Sequence, residues 1–448
     1  MNSVIKRIYY NLPFSLKNIV ASIKGYQLKK WRYDSSTLER IDKYLERENW
    51  SKNDWNEFYL CKLEKKLHIA RNHVPFYRAY WEKRKKMGDN VSSNYLENWP
   101  ILNKKEIIKN GPLFIDERYK IRDLYHDHTS GTTGTPIDIF IDSNSVKEQY
   151  ALFEARVKRK YDIYLNDKWA IIGAQKVVDV NKKRPPFWVY NFISRQLYFS
   201  SLHIADWSIV NYVDALIRYQ PKCLIGYTNS IYELALGMRD KGLSFHLKAV
   251  ITNAEPLYKY QEEVISEAFK CQVVETYGQA ELVSFANKFP DGKMYESPEM
   301  GFLEVLNFDN NENGVYGQLI ATGLLNSAMP LIRYNTDDLI SIEKPAKIDG
   351  KLPEFGKVLG RNDDVIVLED GRKIVQIDGI FTKELNIVQG QIIQESLNDF
   401  TVKIVPDNIW SDSNKKIIIN SLYDRLGIVN IEIEVCDKIQ ASWAGKFR

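Results

Sequence analysis

The 448-residue sequence predicts a large N-terminal α/β domain, with mixed parallel sheets, antiparallel strands and a helical lead-in, followed by a small α+β domain. Three observations carry this reading. Short apolar segments, WAIIGA (169–174), KCLIGY (222–227), LKAVIT (247–252) and CQVVETYG (271–278), alternate with helix-like stretches. Segments 301–308, 317–324 and 331–336 then read as antiparallel strands, with a polar NNENG turn at 310–314. After Gly360 the chain changes to short strands and one amphipathic helix.

The lead-in, residues 1–125, is largely helical and basic. Residues 36–87 contain no glycine, and Leu60, Leu63 and Leu67 recur at helical spacing. The prolines of VPFY and ENWPIL break the pattern, and Asn103 before KKEII suits a helix cap. From 125 to 340 the last three apolar strands each follow a helical stretch, SIVNYVDALIRYQ, SIYELALGMRDKG and LYKYQEEVISEAFK. Repeated helix–strand units favour a parallel sheet, because parallel neighbours need a crossover. In the tail, TVKIVPD, NKKIIINSLYDRLG and IEIEVCD supply strand, helix and strand, and DGRK (370–373) suits a hairpin turn. The expected domains are 1–360 and 361–448.

Composition narrows the class. Hydrophobic residues make up 44% and charged residues 27%, as in soluble globular proteins. The four cysteines, Cys61, Cys223, Cys271 and Cys436, are too dispersed for a disulfide framework or a zinc site. No apolar run approaches the roughly 20 residues of a spanning helix, and MNSVIKRIYYNLPF lacks a signal-peptide core. A cytoplasmic enzyme is expected. Residues 1–100 hold 20 Lys/Arg against 11 Asp/Glu; these basic segments read first as solvated helix faces, with peripheral contact at the inner membrane face as the alternative, and no nucleic-acid partner is expected. The oligomeric state is not legible.

The chemistry concentrates in a few segments. HTSGTTGTP, His128 to Pro136, gathers hydroxyls and two glycines in a loop. Backbone N–H groups freed by glycine, with Ser130, Thr132 and Thr133, can surround a phosphate. It is not a Walker loop, because no lysine follows its glycines. His126 and His128 flank its start, where they could either face the nucleotide or be structural.

This loop resembles the phosphate-binding signature of the adenylate-forming superfamily of acyl-CoA synthetases, luciferases and adenylation domains. Matching segments follow in the family's order: NAEPL (253–257), YGQAE (277–281), MPLIRYNTDDL (329–339), GRNDDVIV (360–367) and AGKFR (444–448). Their wording is nearest the phenylacetate-CoA ligase and CapK branch. The resemblance implies that a carboxylic acid is joined to AMP with release of pyrophosphate, using ATP and Mg²⁺.

It also implies a nucleotide site of Ser130, Gly131, Thr132, Thr133, Gly134, Asn253, Ala254, Glu255, Pro256, Tyr277, Gly278, Asp338 and Arg361. Glu281 would hold Mg²⁺, Asp338 would accept the two ribose hydroxyls, and Arg361 would donate to the same sugar. Lys446 would be the catalytic cation, with Asp363 in the hinge of a mobile small domain. Three departures stand out: no lysine follows the loop, Ala280 replaces the usual threonine, and Asp337 stands where glycine is usual. The acceptor stays open between CoA and, as in the surface-polysaccharide role of the CapK branch, a sugar or amine. A nucleotide-binding protein without catalysis is the reading from another class.

Overall fold

The computed structural model describes residues 8–129, 136–173, 175–255, 257, 259–311, 314–342, 352–358, 366–369, 373–374, 380–381, 385, 387–406, 410–437 and 439. The lead-in contains α1 (Phe14–Arg32), α2 (Thr37–Arg47), α3 (Lys52–His73), α4 (Pro75–Lys86) and α5 (Lys104–Asn110). Ser51 and Asp54 form a reciprocal capping box that starts α3. The break expected at VPFY is a change of helix: Val74 is extended, and Pro75 takes the first position of α4, where a missing N–H costs nothing. Asn103 does occupy the cap position of α5, but its side chain makes no cap bond and instead accepts from Asn335 Nδ2 at 3.5 Å.

A hairpin follows, β1 (Tyr125–His128) with β2 (Asp138–Ile141), and then α6 (Ser143–Phe153), capped by Asp142. The four predicted apolar segments are β3 (Trp169–Gly173), β6 (Cys223–Tyr227), β7 (Ala249–Asn253) and β8 (Gln272–Gly278). Between β3 and β6 stand β4 (Trp188–Asn191) and β5 (Gln196–Ser200), a short antiparallel pair that the sequence does not announce. The helices that alternate with the later strands are α7 (Ile209–Tyr219), α8 (Thr228–Asp240) and α9 (Lys259–Phe269). With β9 (Phe285–Lys288) and β10 (Met294–Glu296), the order across the sheet is β10-β9-β8-β7-β6-β3-β5-β4. Its central strands β8-β7-β6-β3-β5 are parallel.

The antiparallel sheet is β11 (Gly301–Asn311), β12 (Gly314–Gly323), β13 (Tyr334–Ile342) and β14 (Lys357–Val358). The predicted strand LIRYNT begins only at Tyr334. In the tail, β15 (Ile366–Val367) and β16 (Lys373–Ile374) pair antiparallel, as a hairpin around DGRK requires. Strands β17 (Ile387–Gln394), β18 (Asp399–Pro406) and β19 (Asn430–Val435) form a sheet on which α10 (Asp412–Leu426) packs. The chain is thus a large N-terminal α/β domain followed by a small C-terminal one.

Separate apolar cores hold these parts. One joins the lead-in to the antiparallel sheet through Ile41, Tyr77, Trp99, Phe114 and Leu331. Another lies against the parallel sheet around Phe187, Phe199, Leu224 and Val250, and a third fills the small domain around Phe400, Val402, Ile418 and Leu422. Arg156, fully buried after α6, pins the lead-in to this body. It donates to Tyr44 O at 2.6 Å and Glu299 Oε1 at 2.8 Å, and lies 2.8 Å from Glu48. Arg47 also lies 3.7 Å from Glu299, and Lys160 pairs with Glu48, so the two carboxylates share three cations.

Lys66 on α3 is buried too, donating to Asn326 O at 2.8 Å, and burial lowers its ammonium to about 7. Between that value and the ordinary lysine range the unfolded chain binds the extra proton, so stability rises with pH there. Melting curves at pH 7 and 9 should show that rise in the wild type and a smaller one in Lys66→Met.

Candidate nucleotide site

Three of the segments singled out by sequence, NAEPL, YGQAE and MPLIRYNTDDL, meet near the C-terminal edge of the parallel strands. Open α/β sheets bind ligands outside the carboxyl ends of their strands, where loops diverge. Asn253 ends β7 and Gly278 ends β8. Asp338 comes from the other sheet, on β13, and is brought across by a bulge.

In the pairing of β12 with β13, Gln318 lies opposite Leu339 and Ile320 opposite Asn335. One residue on β12 therefore faces three on β13, Thr336 to Asp338. Asp337 absorbs the excess with φ +61°, a conformation that glycine adopts freely and aspartate tolerates better than most residues. Side chains satisfy the displaced backbone: Asp337 N donates to Asn335 Oδ1 at 3.0 Å, Asp338 N to Thr336 Oγ1 at 3.2 Å, and Thr336 Oγ1 to Leu319 O at 3.0 Å.

The bulge produces a reciprocal clasp. Tyr277 from β8 donates its phenol to Asp338 Oδ2 at 2.6 Å, and Tyr334 at the start of β13 donates its phenol to Glu281 Oε1 at 2.8 Å. Each segment supplies one tyrosine and one carboxylate. Gln279 Nε2 donates to the Tyr277 phenol, Ser284 Oγ donates to Gln279 Oε1 at 2.6 Å, and the Tyr277 ring stacks on Phe355. Glu281 is buried and Asp338 half-buried.

Asn253 and Ala254 line a cavity of about 930 Å³, together with Thr276, Gly278, Gln279 and Ala280. Asn253 Oδ1 is buried without a hydrogen-bond partner among the described residues, and Ala254 sits at φ +66°. A stranded acceptor and a strained neighbour are features that a bound ligand would relieve. Glu255 instead anchors the first turn of α8, where its Oε2 accepts from Asn229 N at 2.7 Å and its carbonyl from Thr228 Oγ1 at 3.0 Å. The cavity walls include Tyr150, Phe153, Trp169, Ile171 and Tyr198. Burial raises the Tyr150 and Tyr198 phenols above their usual range, so both remain neutral.

Ser130, Gly131, Thr132, Thr133, Gly134, Pro256, Arg361, Asp363 and Lys446 lie outside the described residues, as does the expected boundary at 360–361. The stem of the 130–135 loop is closed by Thr129 N to Ile137 O at 3.0 Å and by Ile137 N to Thr129 Oγ1 at 2.9 Å. His126 is accounted for structurally: it stacks on Phe140 and lies 3.0 Å from Asp138 on the facing strand. Tyr334, Gln279 and Ser284 are not singled out by sequence. The spacing of Tyr334 to Asp338 offers a hint, but only the bulge sends the two to different carboxylate–phenol pairs.

No three metal-ligating side chains cluster among the described residues. The donor set nevertheless fits Mg²⁺, a hard cation commonly held by one or two carboxylates with phosphate and water oxygens. Glu281 supplies such an oxygen.

Comparison with known proteins shows what the chain is similar to. The fold is similar to that of 2-hydroxyisobutyryl-CoA ligase. A structure of 2-hydroxyisobutyryl-CoA ligase in the postadenylation state with R3-HIB-AMP is similar with a TM-score of 0.54, 16% identity and 90% coverage of each chain. The same ligase with 2-HIB-AMP and CoA in the thioesterification state gives 0.55 at 16% identity, covering 89% of this chain and 90% of that one. In sequence the chain is a homologue of CapK and of phenylacetate-CoA ligase. Protein CapK of Staphylococcus aureus is 26% identical over 457 residues, 99% of this chain and 98% of that protein. Phenylacetate-coenzyme A ligase of Aromatoleum evansii is 21% identical over 350 residues, 72% of this chain and 73% of that one. Residues 366–448 match the CapK C-terminal domain family.

The bulge makes its own prediction. Asp337→Gly should fold with stability close to wild type, whereas Asp337→Val, β-branched at positive φ, should lose about 1–3 kcal/mol. Urea unfolding of the two variants measures the difference; equal stabilities would contradict the φ-based account.

Proposed function

We propose that this protein activates a carboxylic acid with ATP and passes the acyl group to CoA. The observation that carries the proposal is the clasp, which ties Glu281 and Asp338 to the end of β8, where Gly278, Gln279 and Ala280 share a cavity with Asn253 and Ala254. A carboxylate oxygen of the acid attacks the α-phosphorus, the bond to the bridging oxygen of the β-phosphate breaks, and pyrophosphate leaves. A thiol then attacks the acyl carbon, and AMP departs with the bonding pair.

The obstacle to the first step is repulsion between two anions, so the site must supply charge and alignment. Asp338, held by Tyr277, offers its carboxylate to the ribose diol and fixes the nucleotide. Glu281, held by Tyr334, is the ligand for Mg²⁺, which when bound neutralises the phosphates. Ser130, Thr132 and Thr133, with Gly131 and Gly134, would receive the phosphates, and Arg361 would donate to the ribose. Residues 361–448 form the lid, turning about Asp363 to deliver Lys446 to the reacting carboxylate.

A second reading concerns only the acceptor. The CapK relative spans this chain from end to end, whereas the phenylacetate-CoA ligase of Aromatoleum evansii covers 72% of it. That favours weighing a sugar hydroxyl or an amine, in surface-polysaccharide synthesis, as the group that receives the acyl.

Acid-dependent exchange of labelled pyrophosphate into ATP tests the first step, over a panel of aromatic acids, fatty acids and amino acids. Exchange is expected with a member of one class; ATP binding without exchange for every acid would favour a protein that binds nucleotide without catalysis. Product analysis with CoA, sugars and amines then identifies the acceptor.

Two variants test the assignments. Glu281→Gln keeps an oxygen for Tyr334 but loses charge, so exchange should fall and require more Mg²⁺; an unaltered Mg²⁺ dependence would remove the metal role. Lys446→Ala should lose adenylate formation by about 10²-fold or more, while transfer from synthetic acyl-AMP stays near wild type. Equal losses in both steps would make Lys446 a residue of domain closure, not of the adenylation transition state.

A further inference from the structure

The first helix is amphipathic in the wrong sense for a buried element. Its inward face is small and polar: Asn18 Oδ1 accepts from Tyr190 N at 2.9 Å, and Ser22 Oγ from Phe192 N at 3.0 Å, at the β4 edge of the sheet. Gly25 lies so close to this edge that a Cβ there would meet Asn191 Nδ2 at 2.2 Å. Its outward face carries Leu16, Ile19, Val20, Ile23 and Tyr26, which are 43%, 51%, 42%, 56% and 51% exposed. Spacings of three and four place these residues on one side of the helix. The β4–β5 turn, tied to α1 through Ser22, adds Phe192 and Ile193, 65% and 44% exposed.

Charge identifies the occupant of this face. From Phe14 to Arg32 the helix carries Lys17, Lys24, Lys29, Lys30 and Arg32 and no acidic residue. Lys17 is buried, with Nζ donating to Tyr10 O at 2.8 Å; Lys24, Lys29 and Lys30 are exposed, and Lys30 lies 4.5 Å from the Tyr26 ring centroid. Two copies pairing through this surface would set like charges together. An apolar stripe flanked by cations instead matches a bilayer with anionic headgroups, into which the apolar residues sink while the lysines remain among the phosphates.

We infer that the outward face of α1, extended by the β4–β5 turn, docks this protein on an anionic lipid bilayer. The docked face adjoins the cavity, because Val20, Ala21, Lys24, Gly25 and Leu28 of the same helix line it. A bilayer on α1 therefore lies alongside the chamber that Asn253 and Gln279 border.

The test uses the full chain and vesicles, without substrate, so its outcome is independent of the ligase reading. Co-sedimentation should occur with phosphatidylcholine vesicles containing phosphatidylglycerol, weaken with added salt, and be absent with phosphatidylcholine alone. Ile19→Ser with Ile23→Ser, and separately Lys29→Glu with Lys30→Glu, should each reduce binding about tenfold or more while leaving the melting temperature unchanged, since all four side chains are exposed and none lines the cavity. Absence of binding, or equal binding to neutral vesicles, overturns the proposal. So does a lipid-independent dimer, seen by sedimentation velocity, that Ile19→Ser with Ile23→Ser dissolves, because the face would then belong to a second copy.

Discussion

Two sheets of different construction must present carboxylates to one place, and the bulge in β13 is the constraint through which they do so. A regular antiparallel pairing would continue the alternation of β13 and separate Asp338 from the end of β8. The two extra residues facing Leu319 redirect it, and the phenols of Tyr277 and Tyr334 then lock β8 and β13 together. Residues at positive φ adjoin each carboxylate, Asp337 before Asp338 and Leu282 after Glu281, and Ala254 follows Asn253 in the same way. Such positions cost on the order of 1–3 kcal/mol each. Hydrogen bonds to charged groups contribute about 1.5–3 kcal/mol each, so the two clasp bonds can offset much of that strain.

This construction also divides the labour at the site. The parallel sheet supplies the edge and the stranded Asn253 oxygen, whereas the antiparallel sheet supplies Asp338. Of the lead-in helices α1 walls the cavity at the edge of the parallel sheet, so it serves as both wall and outer surface. The polar inner face of that helix follows from its position over an edge strand, whose free N–H groups Asn18 and Ser22 satisfy.

The parallel strands are legible in the sequence because buried strands read as continuous apolar runs of fixed length, and β3, β6, β7 and β8 fall where those runs stand. Antiparallel strands are legible in number but not in register: LIRYNT loses its first half because the bulge-bearing strand starts only at Tyr334. The pair β4 and β5 escapes notice, being short and lacking a strong alternation. Among the site residues, Glu281 and Asp338 can be named from their motifs, whereas Tyr334 cannot, since its partnership with Glu281 links positions 53 residues apart through tertiary geometry alone. Asp337 is a further case: in the sequence it is only a departure from glycine, and its positive φ is visible only in the fold.

The central claim is that the clasp seats a nucleotide, with Asp338 on the ribose. Titration of AMP into wild type and Asp338→Asn by calorimetry tests this most directly, because asparagine still offers Tyr277 an oxygen while losing the charged acceptor for the diol. The account predicts that wild type binds AMP and that Asp338→Asn binds it about tenfold or more weakly at an unchanged melting temperature, in line with loss of a charge-assisted bond of about 1.5–3 kcal/mol. Equal AMP affinity in the two proteins would contradict it.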